Sequence, residues 1–367
     1  MKEIKSLYLH IPFCMQICSY CDFCKMFYNE KLVNDYLNEL EKEIDKYYQK
    51  DSLKTIYIGG GTPSSLKLYQ LDKLFSMTNK LITEEEYEFT FECNISDMNK
   101  ELLEKLKQNK VNRISIGIET INEKFYDLIN RYNNQDDIKE KIKLVKKYFN
   151  NINIDLMYGF PEETLNDLIN DLEFFKELDI PHISIYSLIL EENTKLYINN
   201  TEPLDEDLEE KMYYYIINYL KKHGYNHYEI SNFSKEGYES IHNLTYWNND
   251  EYYGFGLSSG GYVDNVRYTN TRSINNYLKG NYRLEEENLS LQTKMENEMI
   301  LGLRKMKGIK KDEFFSKYNF KIEDIFDIMN MVDKKMIEDK EGYISIPEDK
   351  LYLSNQILIN FIGGENE

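Results

Sequence analysis

Six short apolar runs, each separated from the next by an amphipathic helical pattern, constrain what this 367-residue chain can become. They cover residues 7–11, 55–58, 87–92, 113–119, 152–156 and 182–186. Strand and helix alternating at this rhythm build parallel βα units. The first helix is predicted over 29–48, with Asn29 as its N-cap and Leu32, Val33, Tyr36, Leu37 and Leu40 on one face. A parallel strand covered on both faces should be almost continuously apolar, and these strands are not. Glu88, Thr90 and Glu92 share a face, as do Arg113, Ser115, Gly117 and Glu119, then Asn151, Asn153 and Asp155, then His182, Ser184 and Tyr186. The opposite faces are Ile, Leu or Phe. A curved sheet satisfies both patterns, its convex side against helices and its concave side lining a polar, occupied cavity. The alternative, a sheet with one face open to water, does not accommodate a helix in every connection. The expected fold class is therefore α/β, a partial (β/α)6 barrel, and by the same parity Cys93 points with Phe89 and Phe91 into the helix layer as a small core residue.

The barrel rhythm ends near residue 195, which sets a first domain at 1–195. A charged connection at 201–207 leads into a helix predicted over 206–222, followed by 225–233, the segment around Trp247 and a Gly-rich turn at 254–261. These make an α+β extension over 196–289. From 290 to 367 short helical patterns surround a β-wing at 342–346, the pattern of a small winged-helix-like domain. Lys+Arg 45 against Asp+Glu 64 leaves a net charge of -19, which repels a phosphate backbone at long range and argues against a nucleic-acid partner. Pro12 and Cys14 interrupt the first apolar run too soon for a signal-peptide core or a membrane span, so a cytoplasmic protein without an integral membrane segment is expected.

The first run opens directly onto Cys14, Cys18 and Cys21. A Cys-x3-Cys-x2-Cys loop gathers three soft thiolates, and three ligands suit an iron-sulfur cube whose fourth iron stays open to another molecule. A tetrahedral zinc site completed by Cys24 is the competing reading, although zinc ligands usually come in paired short hooks and only one is present. Five cysteines are too few and too odd for a disulfide framework. Cys24 then reads as a spare thiol beside the cluster. One βα unit later stands Gly59-Gly60-Gly61-Thr62-Pro63, at the C-terminal end of the second strand where α/β folds bind ligands. Glycines allow close approach to the backbone, and the phosphate-loop signature is absent.

Residues 8–23 and 59–63, Phe91-Glu92-Cys93-Asn94, 113–120 and 155–161 together resemble the oxygen-independent coproporphyrinogen III oxidase group of radical S-adenosylmethionine (radical SAM) proteins. Residues 228–233 and His242-Asn243-Leu244-Thr245-Tyr246-Trp247 are similar to the heme-binding signature of the heme-chaperone branch of that group, and 267–270 and 301–304 extend the likeness along the chain. The resemblance implies a TIM-like radical SAM barrel. It also implies a 4Fe-4S cluster on Cys14, Cys18 and Cys21 with Tyr8 beside it. S-adenosylmethionine would touch Gly60, Gly61 and Thr62 through its methionine part, Glu92 and Glu119 through its polar groups, Arg131 through its carboxylate and Asp155 through its ribose. Heme would take His242 as its iron ligand, with Tyr246 and Trp247 against the porphyrin plane.

Read without the family, His242 is a lone histidine for which a structural role is open. His223 and His227 read as surface or structural residues, and His10 as a neighbour of the cluster loop. Three positions depart from the group's usual pattern. Glu119 replaces a Gln, Asn130-Arg131-Tyr132-Asn133 replaces Gly-Arg-x-His, and Ser258-Ser259-Gly260-Gly261 replaces a Gly-Ala-His-like end, which leaves a second heme ligand without a candidate. Two functions follow from the resemblance. One is a chaperone that binds heme, a 4Fe-4S cluster and S-adenosylmethionine and passes heme to an acceptor protein, served by an electron donor. The other is oxygen-independent coproporphyrinogen III oxidation by radical SAM chemistry. The short segment of 13 residues before Cys14 and the 242–247 signature favour the chaperone.

Overall fold

The computed structural model describes residues 3–363; the outermost positions of the first and last predicted domains, 1–2 and 364–367, lie outside the described residues. Six parallel strands form its centre: β1 (Ser6–Ile11), β2 (Leu53–Gly60), β3 (Thr83–Asn94), β4 (Arg113–Glu119), β5 (Asn151–Tyr158) and β6 (His182–Ser187), adjacent in that order. Helices α1 (Glu30–Tyr47), α2 (Leu68–Thr78), α3 (Lys100–Gln108), α4 (Gln135–Val145) and α5 (Leu165–Glu177) cross from each strand to the next. Asn29 caps α1 as predicted, its side chain accepting from Leu32 N at 3.0 Å. Leu7, Leu9, Ile56, Ile58, Phe89, Phe91, Ile114, Ile116, Ile152, Ile154, Ile183 and Ile185 are buried in one core that also contains Cys93. This is the α/β partial barrel that the strand parity predicts.

Residues 196–289 do not stand apart from the barrel. After α6 (Glu206–Lys222), strands β7 (Asn226–Glu229) and β8 (Asn232–Ser234) extend the sheet antiparallel beyond β6, and β9 (Tyr253–Phe255) pairs parallel with β1, giving the order β9-β1-β2-β3-β4-β5-β6-β8-β7. Bare sheet edges expose unpaired N–H and C=O groups, and these strands cover them on both sides of the barrel. Between β8 and β9 lies α7 (Ile241–Trp247), which packs across β1, β2 and β3 at Ser6, Thr55 and Glu88. A three-stranded antiparallel sheet, β10 (Gly260–Val263), β11 (Val266–Asn270) and β12 (Arg283–Asn288), follows. The chain then closes with α8 (Leu291–Gly302), α9 (Lys311–Tyr318) and a small sheet of β13 (Ile309–Lys310), β14 (Glu338–Lys340) and β15 (Tyr343–Ser345). This small sheet and its helices lie in the segment where the sequence shows short helical patterns around a β-wing.

One buried carboxylate fastens the extension to the barrel's first helix. Glu43 of α1 is fully buried and accepts from Gly256 N at 2.8 Å, Asn270 Nδ2 at 2.6 Å and Tyr277 OH at 2.5 Å, with Arg283 Nη1 at 3.4 Å. Gly256 has φ +99°, and a Cβ there would stand 2.5 Å from Tyr36 OH and 2.6 Å from the carbonyl of His10. The Gly-rich turn therefore serves close packing against β1 and α1. Replacing Glu43 with Ala leaves Gly256 N and Tyr277 OH without an acceptor and removes the buried partner of Arg283, and is expected to destabilise the fold by about 3–5 kcal/mol, read as a lowered urea midpoint.

Candidate functional site

The polar concave face of the sheet encloses a cavity of about 400 Å³. Its wall brings together Cys14, Cys18, Cys21, Gly60, Gly61, Thr62, Glu92, Glu119, Arg131 and Asp155, ten of the residues singled out in the sequence. It also takes in Tyr57, Asn94, Arg113, Asn153 and Ser184, which motif reasoning did not assign. Strand parity was the signal for most of these, since Tyr57 lies on the same side of β2 as Thr55 and Gly59.

The cysteine loop is held at the C-terminal ends of the strands by its own backbone. Met26 N donates to the carbonyl of Pro12 at 2.7 Å, Tyr28 N to that of Cys14 at 2.9 Å and Ser19 N to that of Ile129 at 2.9 Å. Asn130 ties it from both directions: its Nδ2 donates to Ile17 O at 2.9 Å and its own carbonyl accepts from Gln16 Nε2 at 2.7 Å. Burial raises all three thiols, that of Cys21 to about 11, so as free thiols they are protonated at neutral pH and metal loading must displace those protons. Cys24 is absent from the cavity wall, and its thiol faces Arg272 and Ser258. The donor set facing the cavity is thus three thiols, which once deprotonated fit a cube with one open iron and do not fit a zinc site closed by Cys24. Among the described residues no three His, Cys, Asp or Glu side chains form a single-ion site.

The glycine turn packs against this loop. A Cβ on Gly59 would stand 2.6 Å from the Glu92 carboxyl carbon, and one on Gly61 would stand 2.8 Å from the Pro12–Phe13 backbone; Gly60 has φ +117°. Gly60 N donates to Glu92 Oε2 at 2.9 Å, Gly61 N to Ile11 O at 2.8 Å and Thr62 N to Phe13 O at 2.8 Å. With its N–H groups engaged, the turn's remaining capacity for a ligand is as an acceptor, which suits an ammonium group. Tyr57 OH donates to Glu92 Oε1 at 2.7 Å, so this carboxylate is fixed at both oxygens, and burial pushes it up to about 7. Tyr8 lies behind the wall, its OH 2.9 Å from His10 Nδ1, while His10 Nε2 meets the carbonyl of Cys24 at 2.8 Å. His10 therefore does touch the cluster loop, through backbone.

Arg131 reaches the cavity because Asn130 ends the preceding helical turn in the left-handed conformation, φ 54°, which Asn tolerates in place of the usual Gly. Asn133 replaces the usual His as a donor, to Ile118 O at 2.7 Å and Thr120 O at 3.2 Å. Glu119 also has positive φ, 67°, at a bulge between β4 and β5 that aims its carboxylate at Arg131. The two are ion-paired at 2.9 Å through both Nε and Nη1, and Nη2 donates to Gly117 O at 2.7 Å and Asn94 Oδ1 at 3.1 Å. Cys18 Sγ lies 3.9 Å from Nη1. Nη1 and Nη2 are hydrogen-bonded while Nε, close to Glu119 Oε2, makes no aligned hydrogen bond, so an incoming carboxylate meets a guanidinium already ion-paired with Glu119. Asp155 accepts from Asn153 Nδ2 at 2.8 Å and is raised by burial.

Of the three expected heme residues, His242 and Tyr246 are in contact and Trp247 lies apart from them. Glu88 caps α7, accepting from Ile241 N and His242 N at 3.0 Å each, and this draws His242 inside the barrel floor. His242 is 1% exposed; its Nδ1 meets Thr55 Oγ1 at 2.8 Å and its Nε2 meets Tyr246 OH at 2.8 Å. Burial holds its pKa down to about 3. Both ring nitrogens are hydrogen-bonded and one face stacks on Tyr57, so His242 packs in this structure as a core residue. Trp247, five positions on, turns the other way, its ring 5.7 Å from the Arg304 guanidinium. Neither Tyr246 nor Trp247 lines the cavity; the α7 residue that does is Asn243. His227 stacks on Phe233 at 4.2 Å and His223 bonds Tyr219 O, both structural as expected. Among the described residues no helix is long and apolar enough to cross a membrane.

Comparison with known proteins places this geometry in a family. Residues 8–175 match the Radical SAM superfamily model. The heme chaperone HemW of Lactococcus lactis is 38% identical over 99% of this chain and 98% of its own length. The Bacillus subtilis heme chaperone HemW is 37% identical over 98% of this chain and 100% of its own. In fold, coproporphyrinogen III oxidase (HemN) of Escherichia coli superimposes with a TM-score of 0.87 over 98% of this chain and 90% of that one, at 19% identity.

The buried carboxyls give the protein a pH signature. Burial raises Glu92, Glu119, Asp171 and Glu229 to about 7 and Glu163 to about 8. The folded form therefore holds more protons than the unfolded form up to that range, and stability falls as pH rises through it. Buried His10, His182, His227 and His242 act in the opposite sense, but fewer in number, and their contribution saturates about one unit above the unfolded imidazole pKa of ~6.5. The thermal midpoint is expected to fall steadily between pH ~6.5 and ~8 in differential scanning calorimetry, and a rise over that window contradicts the assignment.

Proposed function

This chain belongs to the HemW family of radical SAM proteins, and on that premise we propose that it is a heme chaperone. In this reading it binds heme, a 4Fe-4S cluster and S-adenosylmethionine in the cytoplasm and passes heme to an acceptor protein, with an electron donor serving the cluster. The observation that carries it is likeness over nearly the full length to relatives named heme chaperones, at 38% and 37% identity. The likeness to coproporphyrinogen III oxidase, at 19% identity, argues for the fold and gives no support to that reaction here.

Cys14, Cys18 and Cys21 would hold the cluster, and when bound it would supply an electron and an open iron to S-adenosylmethionine. The chain's own residues orient that ligand. Acceptors of the glycine turn, with Glu92 held between Tyr57 and Gly60, receive its ammonium. Arg131 receives its carboxylate in competition with Glu119, and Asp155 its ribose hydroxyls. Residues 1–195 thus carry cluster and cofactor, while 196–289 seal the barrel floor. Heme, as cargo, suits the cavity mouth, where Phe23 (65%), Tyr186 (45%) and Ile189 (63%) leave an exposed apolar rim for a flat apolar molecule.

Protein reconstituted without oxygen is expected to carry close to four irons and four sulfides per chain, and the Cys14/Cys18/Cys21→Ser triple variant to lose them; retention of full iron by that variant overturns the cluster assignment. Side-by-side assays should find hemin binding and transfer to an apo-hemoprotein but no turnover of coproporphyrinogen III. Turnover without hemin binding favours the oxidase instead.

A further inference from the structure

The 242–247 segment meets the cofactor cavity from below. His242 lies flat under Tyr57, ring centroids 5.0 Å apart and planes 29° from parallel. Thr55 Oγ1 on Nδ1 and Tyr246 OH on Nε2, each at 2.8 Å, fix the imidazole in its plane. Above it, Tyr57 OH holds Glu92 Oε1 at 2.7 Å, and Glu92 Oε2 receives Gly60 N at 2.9 Å. An unbroken series of contacts therefore runs from α7 through one tyrosine to the glycine turn.

We propose that His242 is a positioning residue of the S-adenosylmethionine cavity, a platform that keeps Tyr57 beneath Glu92, and that it is not the axial ligand of heme. The proposal rests on the reading of the cavity as an S-adenosylmethionine site. Its physical basis is packing: interiors are dense, and a void the size of an imidazole under Tyr57 lets the ring drop. The phenol then leaves Glu92, which loses one of the two donors that set its direction. Tyr57 is needed for its hydroxyl, and His242 for its flat face and its two in-plane bonds.

The test uses full-length, cluster-loaded protein prepared without oxygen, titrated with S-adenosylmethionine by calorimetry and with hemin by Soret absorbance. His242→Ala and Tyr57→Phe are each expected to weaken S-adenosylmethionine binding by about tenfold, the worth of one hydrogen bond to a charged group. The double variant should be no weaker than the worse single one, because both changes break the same contact series. His242→Gln, which keeps partners for Thr55 and Tyr246, should recover part of the affinity. The Soret maximum and hemin affinity of His242→Ala should match the unaltered protein. Loss of the Soret signature in His242→Ala with S-adenosylmethionine affinity unchanged overturns the proposal, as does wild-type affinity in Tyr57→Phe, which removes a single hydroxyl and stays informative if His242→Ala fails to fold. Failure of the unaltered protein to take up hemin counts against the chaperone reading alone, since the S-adenosylmethionine titrations still decide the role of His242.

Discussion

A sheet covered by helices on one side and bearing Glu, Asp, Arg and Asn on the other must satisfy those groups from within, because an unpaired buried polar atom costs about 1–3 kcal/mol. That constraint organises this molecule. Thr55, Glu88 and Arg113 lie toward the floor of the barrel, and the first two take α7 as their partner. Further along the strands Glu92, Glu119, Asn153 and Asp155 answer to Tyr57, Arg131, Ser115 and one another. The result is a barrel sealed at one end by its own extension and open at the other beside three cysteines.

Sealing the floor fixes the mouth. The Glu88 cap on α7 places His242 against Tyr57, and Tyr57 sets one oxygen of Glu92 while Gly60 sets the other. Gly61 and Thr62 in turn donate to Ile11 and Phe13, so the glycine turn and the cysteine loop are braced as one surface. A ligand spanning cluster and turn would meet a preorganised wall, and such a wall orients a ligand with little reorganisation. The same bracing explains why Gly59, Gly60 and Gly61 have no room for a side chain.

Glu119 gives this cavity a character of its own. Through a bulge and a left-handed backbone it delivers a carboxylate to an arginine that is otherwise the natural receptor for a ligand's carboxylate. Burial raises Glu119 toward neutrality, so the pair sits near the point where proton and ligand compete for one guanidinium. The gathering of Glu92, Glu119 and Asp155 under a low dielectric is a state that a bound cation would relieve, in keeping with a sulfonium and ammonium as occupants.

Sequence by itself determined the barrel, its inward polar face and the cavity wall, because strand parity is a local property and the cysteine, glycine and acidic motifs ride on it. It also marked Asn29 as a cap, Cys93 as core and His10 as a neighbour of the cluster loop. It could not reveal that 226–234 and 253–255 cover the two edges of the barrel sheet, since pairing of Asn232 with Ser184 and of Tyr253 with Leu7, far apart in the chain, leaves no local trace. Nor could it tell that Tyr8 lies behind the wall. The fate of His242 was decided only in three dimensions. A His-Asn-x-x-Tyr-Trp string offers an imidazole and two aromatic planes, but one helical turn sends Trp247 toward Arg304 while Glu88, from a strand more than 150 residues earlier, draws His242 into the floor. Whether a side chain is offered to a ligand or consumed by packing depends on what the rest of the chain puts against it.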